Sequence, residues 1–237
     1  MHQYFFFVSP DRIKDNLAEL TGDDFHHCVQ VLRKRVGDTI ALLDGAGQIY
    51  QSVVQSIGKK SCVCRIRSRQ QREKSLPATI SLAFGLVKNR ALESIIRDMA
   101  ALGVTEIVPL NTQYSVKQAM NTERARKIAV ESIKQSGNFY LPKIENVRSL
   151  PEWLAEIPPA SRKLLADMRG TQPIGDVITR ESGSPVIVLV GPEGGFSDEE
   201  TGLAENTGFV PVRLHAYRLR TELAAVAAVA TVCALIS

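Results

Sequence analysis

The sequence lacks the features that mark the specialised classes of protein. Its 237 residues contain no internal repeat, and only 6% of them are aromatic. An apolar share of 44% and a charged share of 23% are those of ordinary globular chains. Disorder, collagen-like repeats and coiled coils are therefore excluded, and a chain of this length needs neither disulfides nor a metal to hold a core.

Long hydrophobic runs are also missing. The most apolar stretch, residues 223–236, covers 14 positions, whereas a membrane-spanning helix needs roughly 17–25. We therefore expect a buried helix there and no membrane partner. The apolar first eight residues have neither a basic region nor a small-residue cleavage site, so they are predicted to form a strand in a cytoplasmic protein.

Cysteine is scarce, with four residues at positions 28, 62, 64 and 233. Cys62 and Cys64 would place two thiols on one face of a strand. No second pair and no spaced histidines complete a zinc set, so we predict reduced, mostly buried thiols and no metal site.

The excess of basic over acidic residues is small and uneven. The 29 Lys and Arg residues stand against 25 Asp and Glu, a net charge of +4. Residues 1–75 carry 12 basic and 8 acidic residues, so the whole excess lies there and the remainder is neutral. This distribution indicates different partners for the two parts, with a polyanion as the candidate partner of the first.

The first third of the chain is rich in short predicted strands. Apolar residues from Phe25 to Leu32 recur at helical spacing, which predicts one amphipathic helix over 22–33. Several strands with one helix favour a small barrel, followed by a polar linker at 67–75. The predicted strands are residues 3–8, 39–43, 49–56 and 61–66.

From residue 79 onward, predicted strands and helices alternate. This order indicates an α/β domain with a mostly parallel sheet covered on both faces. We place the domains at residues 1–72 and 73–237. The predicted strands are 79–86, 104–109, 163–167, 186–190 and 210–214, and the predicted helices are 91–102, 123–136, 198–206 and 222–236.

The most informative segment follows the predicted strand at 186–190 and reads Gly-Pro-Glu-Gly-Gly over residues 191–195. Ser197 and Glu200 have the spacing of a helix capping box. Glycines allow a ligand to approach the backbone closely, and loops after parallel strands are where open α/β sheets bind ligands. Since Walker, dinucleotide-binding and Gly-x-Ser-x-Gly patterns are all missing, we predict a ligand loop of another kind.

A second segment, residues 214–224, also runs from a strand into a helix, with Thr221 predicted as the N-cap. Taken alone, Arg220 and Glu222 are typical of a surface ion pair and of an acidic first turn. This segment gains meaning only in combination with the glycine-rich loop.

Together, the two segments resemble the RsmE family of SPOUT methyltransferases. The Gly-Pro-Glu-Gly-Gly-Phe-Ser run at 191–197, followed by Leu-Arg-Thr-Glu at 219–222, is similar to the two late motifs of that family. The resemblance extends over nearly the whole chain. Further similar segments are 86–88, 93–97, 102–104, 107–109 and 135–142, and, in the family's PUA-like barrel, residues 27–33, 37–38 and 44–45.

The resemblance implies an α/β-knot fold, with a carboxyl-terminal trefoil knot and an amino-terminal PUA-like β-barrel. It implies a homodimeric enzyme that methylates N3 of a uridine in 16S ribosomal RNA of the 30S subunit, with S-adenosylmethionine as the methyl donor. The donor would lie against the loop after Pro109, the loop at 191–195 and the turn at 214–221. The implied donor-binding residues are Leu110, Leu189, Gly191, Glu193, Gly194, Gly195, Leu214, Leu219, Arg220 and Thr221.

Methyl transfer to a uridine nitrogen requires positioning and control of the imide proton. Either that proton is removed or the charge that develops on O2 and O4 is stabilised. We expect Arg220 to supply the positive charge and Glu222 to orient it, as the two catalytic residues. No general base is assigned.

The chain departs from the family pattern at three positions. Asn138 stands where arginine is frequent, His215 where glycine is usual, and Leu223 where threonine is usual. These departures leave two alternatives open: a SPOUT methyltransferase acting on another RNA such as tRNA, or a knotted RNA-binding protein without activity.

RNA contacts are expected from basic residues of the first third, because phosphates dominate nucleic-acid affinity. A solvated basic helix end or turn explains any single one of these residues equally well. The predicted RNA-binding residues are Arg12, Arg33, Lys34, Arg35, Lys59 and Lys60.

Overall fold

A computed structural model of the chain describes residues 4–178 and 183–237. The chain forms two compact units. The first comprises Met1–Lys74 and Ile133–Leu141, and the second comprises Ser75–Ser132 and Pro142–Ser237. The sequence predicts a single boundary after residue 72 and does not predict that a later segment joins the first unit. In the described ranges, no helix combines the length and the apolar character that crossing a membrane requires.

The first unit is built on one six-stranded sheet. Its strands are β1 (Phe5–Phe7), β2 (Ile13–Lys14), β3 (Leu17–Thr21), β4 (Thr39–Leu43), β5 (Gln48–Ile57) and β6 (Ser61–Gln71). Their order is β1-β4-β5-β6-β3-β2, with β1 and β4 parallel and the other neighbours antiparallel. β4 has the predicted bounds, whereas β2 and β3 were not predicted. The first position of the predicted strand at 3–8 lies outside the described residues.

One face of this sheet is buried, and the helical segment packs on it. A helical segment lies where it was predicted: α1 (Gly22–His26) is followed by one π-helical turn, His27–Val31. It ends at Val31 and not at residue 33, and the π-helical turn was not predicted. The buried set includes Phe25 and Cys28. All four cysteines are free, as predicted, and two of them lie on one strand face with their Sγ atoms 3.9 Å apart.

The segment 133–141 belongs to the first unit through specific contacts. Lys134 Nζ lies 2.9 Å from Asp24 Oδ1, and both side chains are only 13% exposed. The Tyr140 hydroxyl donates to the Arg72 carbonyl at 2.6 Å, and the Leu141 amide donates to the Gly45 carbonyl at 2.8 Å. An ion pair this well buried requires its two partners to remain together, which explains why this segment packs with the amino-terminal strands.

The second unit is built on a seven-stranded sheet in which every pair is parallel. Its strands are β7 (Ile80–Gly85), β8 (Glu106–Asn111), β9 (Lys143–Ile144), β10 (Arg148–Ser149), β11 (Arg162–Ala166), β12 (Val186–Val190) and β13 (Val210–Val212). The order is β10-β8-β7-β12-β11-β13, with β9 beside β8. This confirms the parallel α/β sheet, and β12 has the predicted bounds because five consecutive apolar residues are fully buried.

Helices pack on the parallel sheet. They are α2 (Asn89–Ala101), α3 (Thr122–Ser136), α4 (Leu150–Ala155), α5 (Ile174–Val177), α6 (Asp198–Asn206) and α7 (Thr221–Ile236). α7 packs on α2, β7 and β12, while α4 packs on α6. Trp153 and Phe209 lie in the core with their ring centroids 6.0 Å apart. The short helices α4 and α5 and the two-residue strands β9 and β10 were not predicted.

Candidate functional site

Loops that follow β11, β12 and β13 meet at the carboxyl edge of the parallel sheet. They enclose a cavity of about 290 Å³, and the first residues of α7 complete its wall. Lining residues come from 166–169, from 190–196 and from the turn that begins at Leu214. Since β11, β12 and β13 all end at this edge, three loops far apart in sequence form one binding site.

The glycine-rich loop after β12 is held by the predicted capping box. Ser197 Oγ accepts a hydrogen bond from the Glu200 amide at 3.2 Å, and Glu200 Oε2 accepts one from the Ser197 amide at 3.0 Å. The other carboxylate oxygen, Glu200 Oε1, accepts from the Gln113 amide at 2.8 Å. Glu200 therefore joins this loop to the loop after β8. Gly195 has a φ of 76°, a left-handed conformation that favours glycine.

The end of β7 makes room for the same loop. A Cβ atom at Gly85 would lie 2.3 Å from Pro192 Cδ and 2.8 Å from the Pro192 nitrogen. Only glycine lets the buried Pro192 pack this closely against the strand end. The sequence analysis missed Gly85, although a glycine at the end of a predicted strand is a signal for the close approach of another backbone segment.

The buried Thr221 joins α7 to the glycine-rich loop. Its side chain is 2% exposed, and Oγ1 donates a 3.0 Å hydrogen bond to the Gly191 carbonyl. The prediction of Thr221 as N-cap is wrong, because Arg220 has the extended backbone of the N-cap and Thr221 is the first helical residue. Its hydroxyl is thereby directed to the loop instead of to the helix amides.

A charged cluster on another wall of the cavity was missed by the sequence analysis. Arg169 Nη2 lies 3.0 Å from Asp167 Oδ2, and Nη1 lies 2.8 Å from Asp198 Oδ1 at the start of α6. Burial opposes ionisation of Asp167, but hydrogen bonds from the side chain and backbone of Arg169 outweigh it and lower the pKa of Asp167. Asp167 is therefore ionised at neutral pH. Nothing in the sequence links positions 167 and 198, so only the fold reveals this cluster.

An aromatic pair lies in the turn after β13. The rings of His215 and Tyr217 have centroids 5.5 Å apart, and the Tyr217 side chain is 76% exposed. The Tyr217 amide donates to His215 Nδ1 at 3.1 Å, so the neutral imidazole carries its proton on Nε2. Both residues line the cavity, which gives it a hydrogen-bond donor and an aromatic surface.

The structure brings together most of the residues that the sequence predicts to bind the donor. Leu110 and Leu189 do not line the cavity, since both side chains are 0% exposed in the hydrophobic core. Arg220 is exposed between two lining residues, and Glu222 is half-buried in the first turn of α7. The predicted residues that line the cavity are Gly191, Glu193, Gly194, Gly195, Leu214, Leu219 and Thr221.

The predicted RNA-binding residues lie in three separate segments of the first unit. Arg12 precedes β2 and pairs with Glu19 at 3.2 Å. The run 33–35 follows the π-helical turn, and Lys34 Nζ donates to the Thr39 carbonyl at 3.3 Å. Lys59 and Lys60 are exposed in the turn between β5 and β6.

Comparison with known proteins decides the family. A family model described as an RNA methyltransferase domain matches residues 74–233, and one described as an RNA methyltransferase PUA domain matches residues 20–67. The ribosomal RNA small subunit methyltransferase E of Synechocystis sp. is 30% identical, over 97% of this chain and 77% of its own length. The chain belongs to the RsmE family of RNA methyltransferases.

Other members of the RsmE family agree with this assignment. The corresponding enzyme of Bacillus subtilis is 27% identical, over 94% of this chain and 93% of its own length. The crystal structure of the Neisseria gonorrhoeae enzyme bound to S-adenosyl methionine matches with a TM-score of 0.89 at 26% identity, over 99% of this chain and 98% of that one. The expected fold is therefore confirmed: a SPOUT α/β-knot domain preceded by a PUA-like domain.

We predict that Gly85→Ala displaces the glycine-rich loop at residues 191–195. The added methyl group overlaps Pro192, so the free energy of unfolding should fall by about 1–3 kcal/mol. Chemical denaturation measures this, and hydrogen exchange of residues 191–197 should become faster. Gly202→Ala is the matched control, because Gly202 lies within α6 with open space at its Cβ position and the change should be neutral or stabilising. Equal effects of the two variants would contradict the prediction.

We also predict that Thr221→Val loosens the junction between α7 and the loop. The variant keeps the shape of the side chain but leaves the Gly191 carbonyl without its donor, so the free energy of unfolding should fall by about 1–2 kcal/mol. Hydrogen exchange should accelerate in residues 191–195. Thr221→Ser keeps the hydroxyl and should retain slow exchange. Slow exchange in Thr221→Val together with rapid exchange in Thr221→Ser would show that packing of the methyl group, and not the hydrogen bond, holds the loop.

Proposed function

We propose that this protein methylates N3 of a specific uridine in 16S ribosomal RNA, with S-adenosylmethionine as the methyl donor. The observation that carries the proposal is the cavity at the carboxyl edge of the parallel sheet, lined by the Gly191–Gly195 loop. Membership of the RsmE family supports the reaction, and the donor bound to the Neisseria gonorrhoeae relative supports its identity.

The residues of the cavity fit this donor. Glycines at 191, 194 and 195 expose backbone at the loop surface, where a flat ring or a ribose can approach closely. Apolar side chains such as Leu214 and Leu219 suit an adenine ring. When bound, S-adenosylmethionine supplies an electrophilic methyl group on a sulfonium centre. Seven residues are proposed to hold it: Gly191, Glu193, Gly194, Gly195, Leu214, Leu219 and Thr221.

One exposed carboxylate of the lining suits a positively charged ligand. The sulfonium and ammonium groups of the proposed donor are cations, and Glu193 is exposed at the loop, where its negative charge attracts them. Asp167 is also ionised because Arg169 lowers its pKa, but its ion pair with Arg169 neutralises its charge. Arg218 lines the cavity as well, so the wall as a whole carries no net negative charge.

Arg220 is proposed to stabilise the charge that develops on the uracil ring. When N3 loses its proton and gains the methyl group, O2 and O4 carry the transient negative charge. The Arg220 side chain is exposed beside lining residues Leu219 and Thr221, and among the residues that the structure describes it forms no ion pair. Glu222, two residues further along the chain in the first turn of α7, is proposed to orient it.

His215 is proposed as a hydrogen-bond donor and not as the general base. Its Nδ1 already accepts from the Tyr217 amide, so the unprotonated nitrogen is occupied and Nε2 presents N–H. A donor at the cavity wall suits a uracil carbonyl oxygen. The exposed ring of Tyr217 offers a stacking surface for a base turned out of an RNA helix.

We propose that the active form is a homodimer through α7. Apart from Thr221, Glu222 and Thr231, every residue of this helix is apolar, and Leu223 remains 53% exposed at its start. Ala227, Ala230 and Ala234 follow Leu223 at helical spacing on the same side and are half-buried or exposed. A second copy of the chain would cover this face, since a helix that is apolar on nearly every side favours burial.

We propose the assembled 30S subunit as the substrate and the cytoplasm as the location, because the relatives are named for the small ribosomal subunit. Methyl transfer from labelled donor onto 30S subunits, naked 16S RNA and tRNA tests the proposal, with the modified base mapped. Label at N3 of one 16S uridine is expected. Label at a carbon or a ribose hydroxyl would contradict the reaction. Label on tRNA alone would favour another RNA, and absence of donor binding by calorimetry would favour an inactive RNA-binding protein.

The role of Arg220 is tested by Arg220→Ala. Loss of one preorganised charge should lower kcat by about 10²–10³-fold, while donor affinity changes little. Single-turnover methylation and calorimetry separate these two quantities. Arg97→Ala, which removes an exposed arginine from α2, is the control and should leave kcat unchanged. A large loss of donor affinity in Arg220→Ala would instead assign the arginine to donor binding.

The dimer is tested by Leu223→Glu, which places a charge on the apolar face of α7. We expect the wild-type protein to sediment as a dimer and the variant to shift to a monomer with an unchanged circular dichroism spectrum. Leu203→Glu changes another exposed leucine, on α6, and should leave the dimer intact. A monomeric wild type, or a dimer that survives Leu223→Glu, would contradict the proposal.

A further inference from the structure

The first unit leaves one face of its sheet uncovered along β2, β3 and β6. In β6, Cys62, Cys64 and Ile66 are buried, while Arg65 and Arg67 are exposed. The sequence analysis assigned residues 67–75 to a linker, but β6 extends to Gln71. These arginines are therefore held on a rigid strand and not on a flexible connection.

A β-bulge presents Arg67. Ser52 of β5 pairs with Ile66, and its neighbour Gln51 pairs with Ser68, so Arg67 has no partner across the two strands. Bulges insert one residue, bend the strand and direct a side chain away from the regular alternation. Here the inserted residue is an arginine, and the exposed Arg65 and Arg67 flank the buried Ile66.

The neighbouring strands extend this charged surface. Arg65 pairs with Leu17 of β3, and Leu17 pairs with Lys14 of β2, so Lys14 lies two strands away, about 10 Å, in the same row. On the other side Arg65 pairs with Val53. Leu17 and Val53 are half-buried, which gives the long basic side chains an apolar floor for their methylene groups.

A third arginine of β6 lies on the other face of the strand. Because of the bulge, Arg69 pairs with Tyr50, whose side chain belongs to the buried face of the sheet. Arg69 Nη2 donates to Asn16 Oδ1 at 2.8 Å, and its guanidinium carbon lies 5.7 Å from the centroid of the Tyr50 ring. Arg69 is therefore not part of the surface formed by Lys14, Arg65 and Arg67.

Acidic residues neutralise little of this charge. Glu19 pairs with Arg12, Asp24 with Lys134, and the buried Asp44 accepts hydrogen bonds from Tyr50 and two backbone amides. Asp15, in the turn between β2 and β3, follows Lys14 directly in the sequence. Within the part of the chain that the structure describes, Arg65 and Arg67 form no ion pair.

We propose that this basic face, defined as Lys14, Arg65 and Arg67, binds phosphates of the RNA substrate. Arginine can donate two parallel hydrogen bonds to phosphate oxygens, and the backbone of both arginines is already held in β6. The identity of the partner rests on the proposed function, whereas the surface itself rests on the geometry of β6. A membrane is disfavoured, because the face exposes no large apolar group for insertion among its basic side chains.

The test compares two pairs of basic residues in the full-length protein. The double variant Arg65→Ala with Arg67→Ala removes the bulge pair. Lys59→Ala with Lys60→Ala removes the exposed turn pair, which the sequence analysis predicts as an RNA contact, so the comparison tests the two surfaces against each other. Binding to a 16S RNA transcript is measured at several KCl concentrations. For the arginine variant, the slope of log affinity against log salt should decrease in magnitude by about one to two, and the affinity should weaken several-fold.

Three outcomes of this experiment would overturn the proposal. A slope that changes for Lys59→Ala with Lys60→Ala but not for the arginine variant would overturn the proposal and favour the turn as the RNA contact. Equal small changes of the slope in the two double variants would indicate an unspecific charge effect and would also overturn the proposal. Arginine-dependent binding to phosphatidylglycerol vesicles in place of RNA would assign the face to a membrane surface and overturn it as well.

Failure of the proposed reaction can be told apart from failure of this inference. Donor affinity and thermal unfolding should be unchanged in the arginine variant, because the substituted side chains are exposed on the first unit. If wild-type protein transfers no methyl group yet binds RNA in an arginine-dependent way, the proposed reaction is contradicted and the proposed RNA contact of the basic face is supported. If methylation proceeds with an unchanged KM for RNA in the arginine variant, the proposed reaction is supported and the proposed RNA contact of the basic face is contradicted.

Discussion

The fixed position of the glycine-rich loop is the constraint on which the rest of the site depends. Pro192 lies where Gly85 has no side chain, the Gly191 carbonyl receives the Thr221 hydroxyl, and the Glu200 carboxylate binds the loop after β8. These contacts come from distant parts of the chain and converge on a few residues. Because the loop is held before a ligand arrives, little conformational entropy is lost when one binds.

The uneven charge of the chain follows from what the two units do. The first unit carries the net positive charge on rigid strands and fixed turns, where it can bind phosphate without reorganising. The second unit excludes Lys134 and has 16 basic and 17 acidic residues, a net charge of −1, and the exposed Glu193 carboxylate at the cavity wall suits a cationic ligand. In the proposed function, a polyanion and a small cation use separate surfaces, which avoids a single site with conflicting electrostatic requirements.

The parts of the structure that local chemistry determines were predictable from sequence. β12 and α6 have the predicted bounds because a buried β-branched run and a capping box each act within a few residues. The π-helical turn and the length of β6 were not predictable, since tertiary packing and a bulge decide them. The same distinction holds in the site. The loop at 191–195 has a local signature, whereas Gly85 and Arg169 matter only because the fold brings Pro192 and Asp198 to them.

The three departures from the family pattern lie outside the contacts that hold the loop. Asn138 exchanges hydrogen bonds with the backbone of Tyr140 at 3.1 Å in each direction, so it stabilises a turn in the first unit. His215 places an N–H donor and an aromatic ring at the cavity wall, and Leu223 adds an exposed apolar group to α7. None of them disturbs Gly85, Thr221 or the capping box. The three departures therefore leave the contacts that hold the loop intact, and they give no physical reason for a loss of activity.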